Sequence, residues 1–181
     1  MLWFYEDFQN HQTAWQIFND SQYPDNPWNI SSPTPLEQNR FAFVSYNRKD
    51  PYVDMSTPAI SFLTHDIDLT HIASPVLSFD WKSPESSAFG EVYIKKMNGE
   101  LQSLLGNRAF KNNVQWETRT IDLNTFAGRQ ISLIFKWVNQ NVGQFFNTGF
   151  CVDNIAITGN YCDTPVENAP VLYPARKMSQ Q

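Results

Sequence analysis

The residues best placed to do chemistry are acids set inside apolar strands. Near the C-terminal end, Thr148-Gly149-Phe150-Cys151-Val152-Asp153-Asn154-Ile155-Ala156-Ile157-Thr158-Gly159-Asn160 reads as a β-strand, with β-branched Val152, Ile155 and Ile157 and a closing Gly-Asn turn. Asp153 and Asn154 interrupt its apolar run. An ionised Asp in a buried strand requires a cation or hydrogen-bond donors beside it. On a half-exposed strand it simply faces water. A second acidic pair, Glu6-Asp7, lies in an aromatic-rich first strand, and as neighbours the two point to opposite faces. Asp20 and Asp25, in a polar loop, and Asn154 are second-rank oxygen donors.

Stacking on sugar rings is a second chemistry open to this chain. Trp28, Tyr46, Tyr52, Phe145 and Phe146 fall in predicted loops, among Asn, Asp and Gln side chains suited to sugar hydroxyls. The competing role for each is to plug an end of the fold. Nucleophilic catalysis finds little support. His11, His65 and His71 sit in no recognisable motif, and neither Gly-x-Ser-x-Gly nor His-Glu-x-x-His occurs. A glycosidase built on two of Asp80, Glu91 and Glu117 facing a groove is the catalytic alternative. The expectation is a protein that is not an enzyme.

The elements that position these residues are short strands. Strands are predicted at Leu2–Phe8, Trp15–Phe18 (with Trp15 and Ile17 on one face), Phe41–Tyr46, Ala59–Leu63 and Pro75–Lys82. Further strands are predicted at Gly90–Met97, Leu101–Leu105, Trp116–Leu123 and Gln130–Val138, before the acidic strand at the end. Asn98-Gly99 signals a hairpin. Asn19–Arg40, Asn47–Thr57 and Asn139–Asn147 read as loops, and no segment has a helical period. Nine or ten short strands predict an all-β protein, an antiparallel β-sandwich of jelly-roll, galactose-binding-like type. Residues 1–160 form the sandwich domain; 161–181, with three prolines at Pro165, Pro170 and Pro174, form a tail or linker.

Composition narrows the partners. Aromatics make up 15% of the 181 residues, enough for a large core, while charged residues make up only 17%, which suits an extracellular β-rich surface. A net charge of -5 with scattered Lys and Arg argues against nucleic acid. No apolar run reaches the ~20 residues of a membrane span, so membrane insertion is not expected. The opening residues lack a signal peptide's basic region, although a precursor could have carried one. Cys151 and Cys162 permit one disulfide if the chain doubles back after Gly159-Asn160; two free buried thiols are the alternative.

The ordered signals resemble a known group. Tyr5-Glu6-Asp7-Phe8-Gln9-Asn10, Trp15-Gln16-Ile17 and Trp28 come first, then Ile67-Asp68-Leu69-Thr70 and Pro75-Val76-Leu77-Ser78-Phe79-Asp80-Trp81. Trp116, Ile121-Asp122-Leu123, Phe126-Ala127-Gly128, Ile131-Ser132-Leu133-Ile134-Phe135 and Val152-Asp153-Asn154-Ile155-Ala156-Ile157 follow. Over residues 2–160 this order resembles the MAM-like jelly roll of the cleaved-adhesin and choice-of-anchor J domains. The cleaved-adhesin side fits better, since the cysteine set of true MAM domains is absent. The resemblance implies a secreted or cell-surface, non-catalytic module that recognises glycan or protein, alone or as the accessory domain of a secreted protease or other enzyme. It also implies structural Ca2+ held by Glu6 and Asp153. In such a roll the first and last strands can lie side by side, bringing Glu6 or Asp7 near Asp153. Two carboxylates so placed repel unless a cation, a Lys or Arg, or water relieves them.

Overall fold

The computed structural model describes residues 1–10, 12–32, 39–49, 51–54, 56–83, 88–106, 108–140 and 146–167, the side chains of 146–148 excepted. Thirteen strands occur in them: β1 (Leu2–Glu6), β2 (Gln16–Asn19), β3 (Trp28–Ser31), β4 (Phe41–Val44), β5 (Tyr52–Asp54), β6 (Ala59–Asp68), β7 (Ile72–Ser83), β8 (Phe89–Lys96), β9 (Leu101–Ser103), β10 (Asn113–Asp122), β11 (Gln130–Asn139), β12 (Phe146–Thr148) and β13 (Cys151–Tyr161). One 3-10 turn, Asn124–Phe126, joins β10 to β11.

Two antiparallel sheets make the sandwich. One runs β10-β7-β13-β4-β3, with β1 also on β13; the other runs β2-β6-β11-β8-β9. Alternation along the strands fixes which face each sheet buries. In β7, Leu77, Phe79 and Trp81 are buried while Val76, Ser78 and Asp80 face out, as their spacing predicts. In β11, Ile131, Leu133, Phe135 and Trp137 turn inward. Phe79 meets Phe135 across the layers at 5.1 Å, and Trp81 packs edge-on to Phe110 at 4.8 Å. Aromatic pairs of this geometry add to what their buried area alone contributes.

β13 is where the pattern breaks. Its apolar residues are spaced three apart, then two: Val152, Ile155, Ile157. The strand accommodates this with a bulge between Asp153 and Ala156 against β7, and Asn154 adopts φ 48°. Asn tolerates the left-handed region better than most residues. The extra residue returns Ile155 and Ile157 to the core and keeps both polar side chains on the outer face. At the same point the neighbour of β13 changes, from β4 at Cys151 and Val152 to β1 at Ile155 through Thr158.

Several expectations are corrected. The predicted loop Asn19–Arg40 contains β3, which pairs with β4. Trp28 heads it and is only 2% exposed, edge-on to Phe150 at 5.6 Å, so it is a core residue and not a surface aromatic. The predicted loops Asn47–Thr57 and Asn139–Asn147 contain β5 and part of β12, which pair with each other. Trp15 and Ile17 do not share a face: Trp15 is buried just before β2, whereas Ile17 is exposed. Of the two alternatives left open for the cysteines, the free thiols are the ones found, but only Cys151 is buried, its thiol pushed up to about 12 by burial, while Cys162 is half-exposed.

Candidate functional site

The open face of the five-stranded sheet carries a trough of about 600 Å³. Strand register places the side chains of this face in three rows, with Lys136, Glu91, Tyr93 and Ser103 flanking the trough and the others lining it. Phe18, Phe62, Lys136 and Glu91 lie side by side on β2, β6, β11 and β8. The next row is Gln16, Thr64, Ile134, Tyr93 and Ser103, and the third is Asp66, Ser132, Lys95 and Leu101. A neighbouring hollow of about 540 Å³ shares Asp66, Lys95 and Ser132 and extends the trough past Asp68 and Gln130. Phe18 is 51% exposed, so its ring is open to a ligand.

The polar groups of this face are held in place by one another. Glu91 is 4% exposed and accepts from the Tyr93 hydroxyl at 2.9 Å and the Arg108 backbone N–H at 3.2 Å. The Lys136 ammonium pairs with it at 3.2 Å and lies 5.6 Å from the Tyr93 ring centre. Burial, and then the Glu91 carboxylate, push the Tyr93 phenol up to about 12, so it stays a donor. Ser132 donates to Asp66 at 2.5 Å, and Gln130 to Asp68 at 3.2 Å. With its three donors Glu91 is a satisfied structural acid; the trough offers rings, hydroxyls, amides and the Lys95 ammonium to a ligand.

The acidic residues singled out by sequence are divided among separate places. Asp153 is 4% exposed, in the gap where β1 gives way to β4. It faces Asp80 across the β7–β13 register. Burial raises its carboxyl to about 6; Asp80 and Asp7 push the same way, against the Asn154 N–H at 2.8 Å and the Asn39 amide at 3.4 Å. On the outer surface Tyr5 donates to the Asn154 side chain at 3.0 Å, which donates to Asp80 at 2.8 Å, and Thr118 donates to Asp80 at 2.5 Å. Asp7 thus reaches the field of Asp153, and its own side chain accepts from the Gln9 N–H at 3.1 Å. Glu6 fastens the following turn instead, accepting from the Phe8 N–H at 2.7 Å and the Thr13 hydroxyl at 3.2 Å.

As a metal centre, the Asp153 gap has the right donor chemistry: a desolvated carboxylate with two further acids in its field and no ion-pair partner among the described residues. Its convergence is incomplete, because among the described residues no three His, Cys, Asp or Glu side chains meet at metal-holding distance. Asp20 and Asp25 lie elsewhere, capping the Gln22 N–H at 2.8 Å and the Thr57 hydroxyl at 2.8 Å. Asp25, Trp28 and Tyr46 do share one hollow of about 500 Å³, with Arg48 and Ile17. Exposed Tyr52 heads β5; Phe146 starts β12, its side chain undescribed, and Phe145 lies outside the described residues.

Sequence reading missed the trough residues because it sought aromatics in loops. The signal was present as strand alternation: Phe62, Thr64 and Asp66 on one strand and Ser132 and Ile134 on another are every-second residues facing away from the core.

The fold defines a class, the antiparallel jelly-roll sandwich shared by carbohydrate-binding modules and an adhesin domain. Its architecture is similar to that of the family 11 carbohydrate-binding module of the Clostridium thermocellum cellulase Lic26A-Cel5E, at 16% identity and TM-score 0.52 over 86% of this chain and 92% of that one. It is similar to TmCBM61, solved with β-1,4-galactotriose, at 8% identity and TM-score 0.52 over 82% and 90%. The K3 cleaved adhesin domain of Lys-gingipain from Porphyromonas gingivalis matches at 14% identity and TM-score 0.50 over 88% and all 100% of that domain. No family model matches the chain, and no curated protein matches it by sequence.

Proposed function

We propose that the chain is a secreted or surface-borne, non-catalytic module of the MAM-like cleaved-adhesin type that grips a glycan in the trough of its five-stranded sheet. One observation carries this reading. Phe18 and Phe62 lie beside Gln16 and Thr64 of the next row and Asp66 and Ser132 of the row after it, the combination of apolar surface and placed polar groups that sugar rings require. The oligosaccharide ligand of TmCBM61 supports it by analogy of fold. Glu91 is committed to three donors, which favours holding a sugar over cleaving one. Affinity electrophoresis against a polysaccharide panel tests the reading. Retardation by at least one glycan, lost in Phe18→Ala/Phe62→Ala, is expected. No retardation, or retardation that the double variant keeps, rejects it; capture of a protein ligand alone would also do so.

Calcium is part of the same proposal. A Ca2+ ion would be held by Asp153 with Asp7 or Asp80, water and amide oxygens completing its six to eight ligands. What supports it is the charge of the gap. An ion that binds only the folded chain raises Tm. Calcium is therefore expected to raise the melting temperature of the EDTA-treated protein, and Asp153→Asn to abolish that rise. A melting temperature indifferent to calcium rejects the ion.

A further inference from the structure

β10 differs in length from the other strands at the edges of the two large sheets. Among the described residues β1 has five residues, β2 and β3 four each and β9 three, whereas β10 has ten. Among the described residues it pairs on one side only, with β7. Val114 through Thr120 are all exposed, the strand contains no proline, and Trp116 on it is 41% exposed. A long open edge is a template for another strand, and proteins that avoid such pairing shorten or break their edges. Edge charges usually serve the same end, so the charges of β10 decide the question.

Three charges lie on β10: Asp122 at its end is engaged by the Asn124 N–H and side-chain amide, and Glu117 and Arg119 in its middle are two apart and therefore on one face. The only side-chain hydrogen bond of Glu117 among the described residues comes from Asn113 at 3.0 Å, and no ion pair there involves either charge. Antiparallel pairing of β10 with a second β10, centred on Thr118, sets Glu117 opposite Arg119 of the partner subunit and Arg119 opposite Glu117 of the partner subunit. The opposite-charge pair thus occurs twice, once on each side of the axis. An unrelated strand would meet one acid and one base with no such match. The bulge of β10 lies at Val114–Trp116, leaving Glu117 through Asp122 in regular register with β7.

We propose that β10 is a homodimer interface: two copies of this chain join edge to edge, Thr118 on the two-fold axis, extending each six-stranded sheet into the next. Closed two-fold pairing uses the same patch on both copies and leaves neither edge open, so assembly stops at two. The contact is small, so the dimer is concentration-dependent and reversible.

Sedimentation velocity over a range of concentrations, with melting curves to verify folding, tests this. The parent chain should show a monomer–dimer equilibrium. Arg119→Glu and Glu117→Arg should each weaken dimerisation roughly tenfold or more, because each places like charges opposite one another twice. The exchange Glu117→Arg/Arg119→Glu should restore it, an outcome that a role in monomer stability would not give. Thr118→Pro, folded but lacking the central backbone N–H, tests pairing independently of charge and should be monomeric. A parent chain that stays monomeric, or a dimer indifferent to the single reversals, overturns the proposal.

Discussion

Asp153 is held between influences of opposite sign. Burial and the neighbouring Asp80 and Asp7 favour its protonated form; the Asn154 N–H and Asn39 amide favour the carboxylate. In an unfolded chain an Asp titrates at about 3.9. Because the folded value is raised to about 6, this group's contribution to stability is complete below the unfolded value and is lost as pH rises through about 6. In metal-free buffer the parent's Tm should therefore fall from pH 4 to pH 6.5 relative to Asp153→Asn, by a few degrees for a chain of this size. Parallel pH–Tm curves for the two proteins would contradict that.

Glu91 poses the opposite case, a buried acid fully partnered. Replacing it with Gln leaves the Lys136 ammonium unpaired and should cost roughly 2–4 kcal/mol in urea unfolding. Glu91→Gln/Lys136→Met should recover more than half of that loss. The sequence showed that Asp153 was out of place in an apolar strand. It did not show the local geometry, because whether an acid meets a cation, an amide or another acid depends on strands far apart in the chain.

At the scale of elements, β13 shows what spacing reveals and what it conceals. The three-then-two interval of Val152, Ile155 and Ile157 is the visible trace of the bulge, and a strictly alternating reading passes over it. Deleting Asn154 would remove the extra residue and leave Val152, Ile155 and Ile157 in plain alternation, all facing the core. That variant should keep cooperative thermal unfolding while losing the side-chain bonds of Asn154 to Tyr5 and Asp80. Gly90, on β8, makes room for the Phe150 ring, which lies 2.5 Å from where a Cβ would stand. Gly90→Ala should destabilise by about 1–3 kcal/mol through overpacking, measured by urea denaturation. Alternation of period two was strong enough to predict β7, β8 and β11. β3, β5 and β12 went unseen because they are three or four residues long and sit among Asn, Asp, Ser and Pro residues that read as loop, whereas equally short β4 is a plain apolar run.

At the scale of the whole molecule, the sandwich class was readable because thirteen strands impose turn residues and alternation throughout, and these agree with one another. The trough as a surface was not readable, because it exists only once register aligns Phe18 with Phe62, Thr64 with Ile134 and Asp66 with Ser132. Register joins residues 18, 62, 136 and 91, and nothing local in the chain encodes that adjacency.

The edge strand and the trough lie on different sheets, and their arrangement has a consequence for reach. The axis relating two antiparallel copies of one strand stands perpendicular to the sheet they form. Both five-stranded sheets of a pair then lie on one side of the joined layer, with their open faces turned the same way. A soluble oligosaccharide would occupy either cradle singly, whereas a wall polymer or a carpet of surface chains could be held by both at once. Such double attachment multiplies grip by about 10²–10⁴ without a single added contact, so immobilised polymer should retain the paired protein far longer than free sugar affinity would indicate.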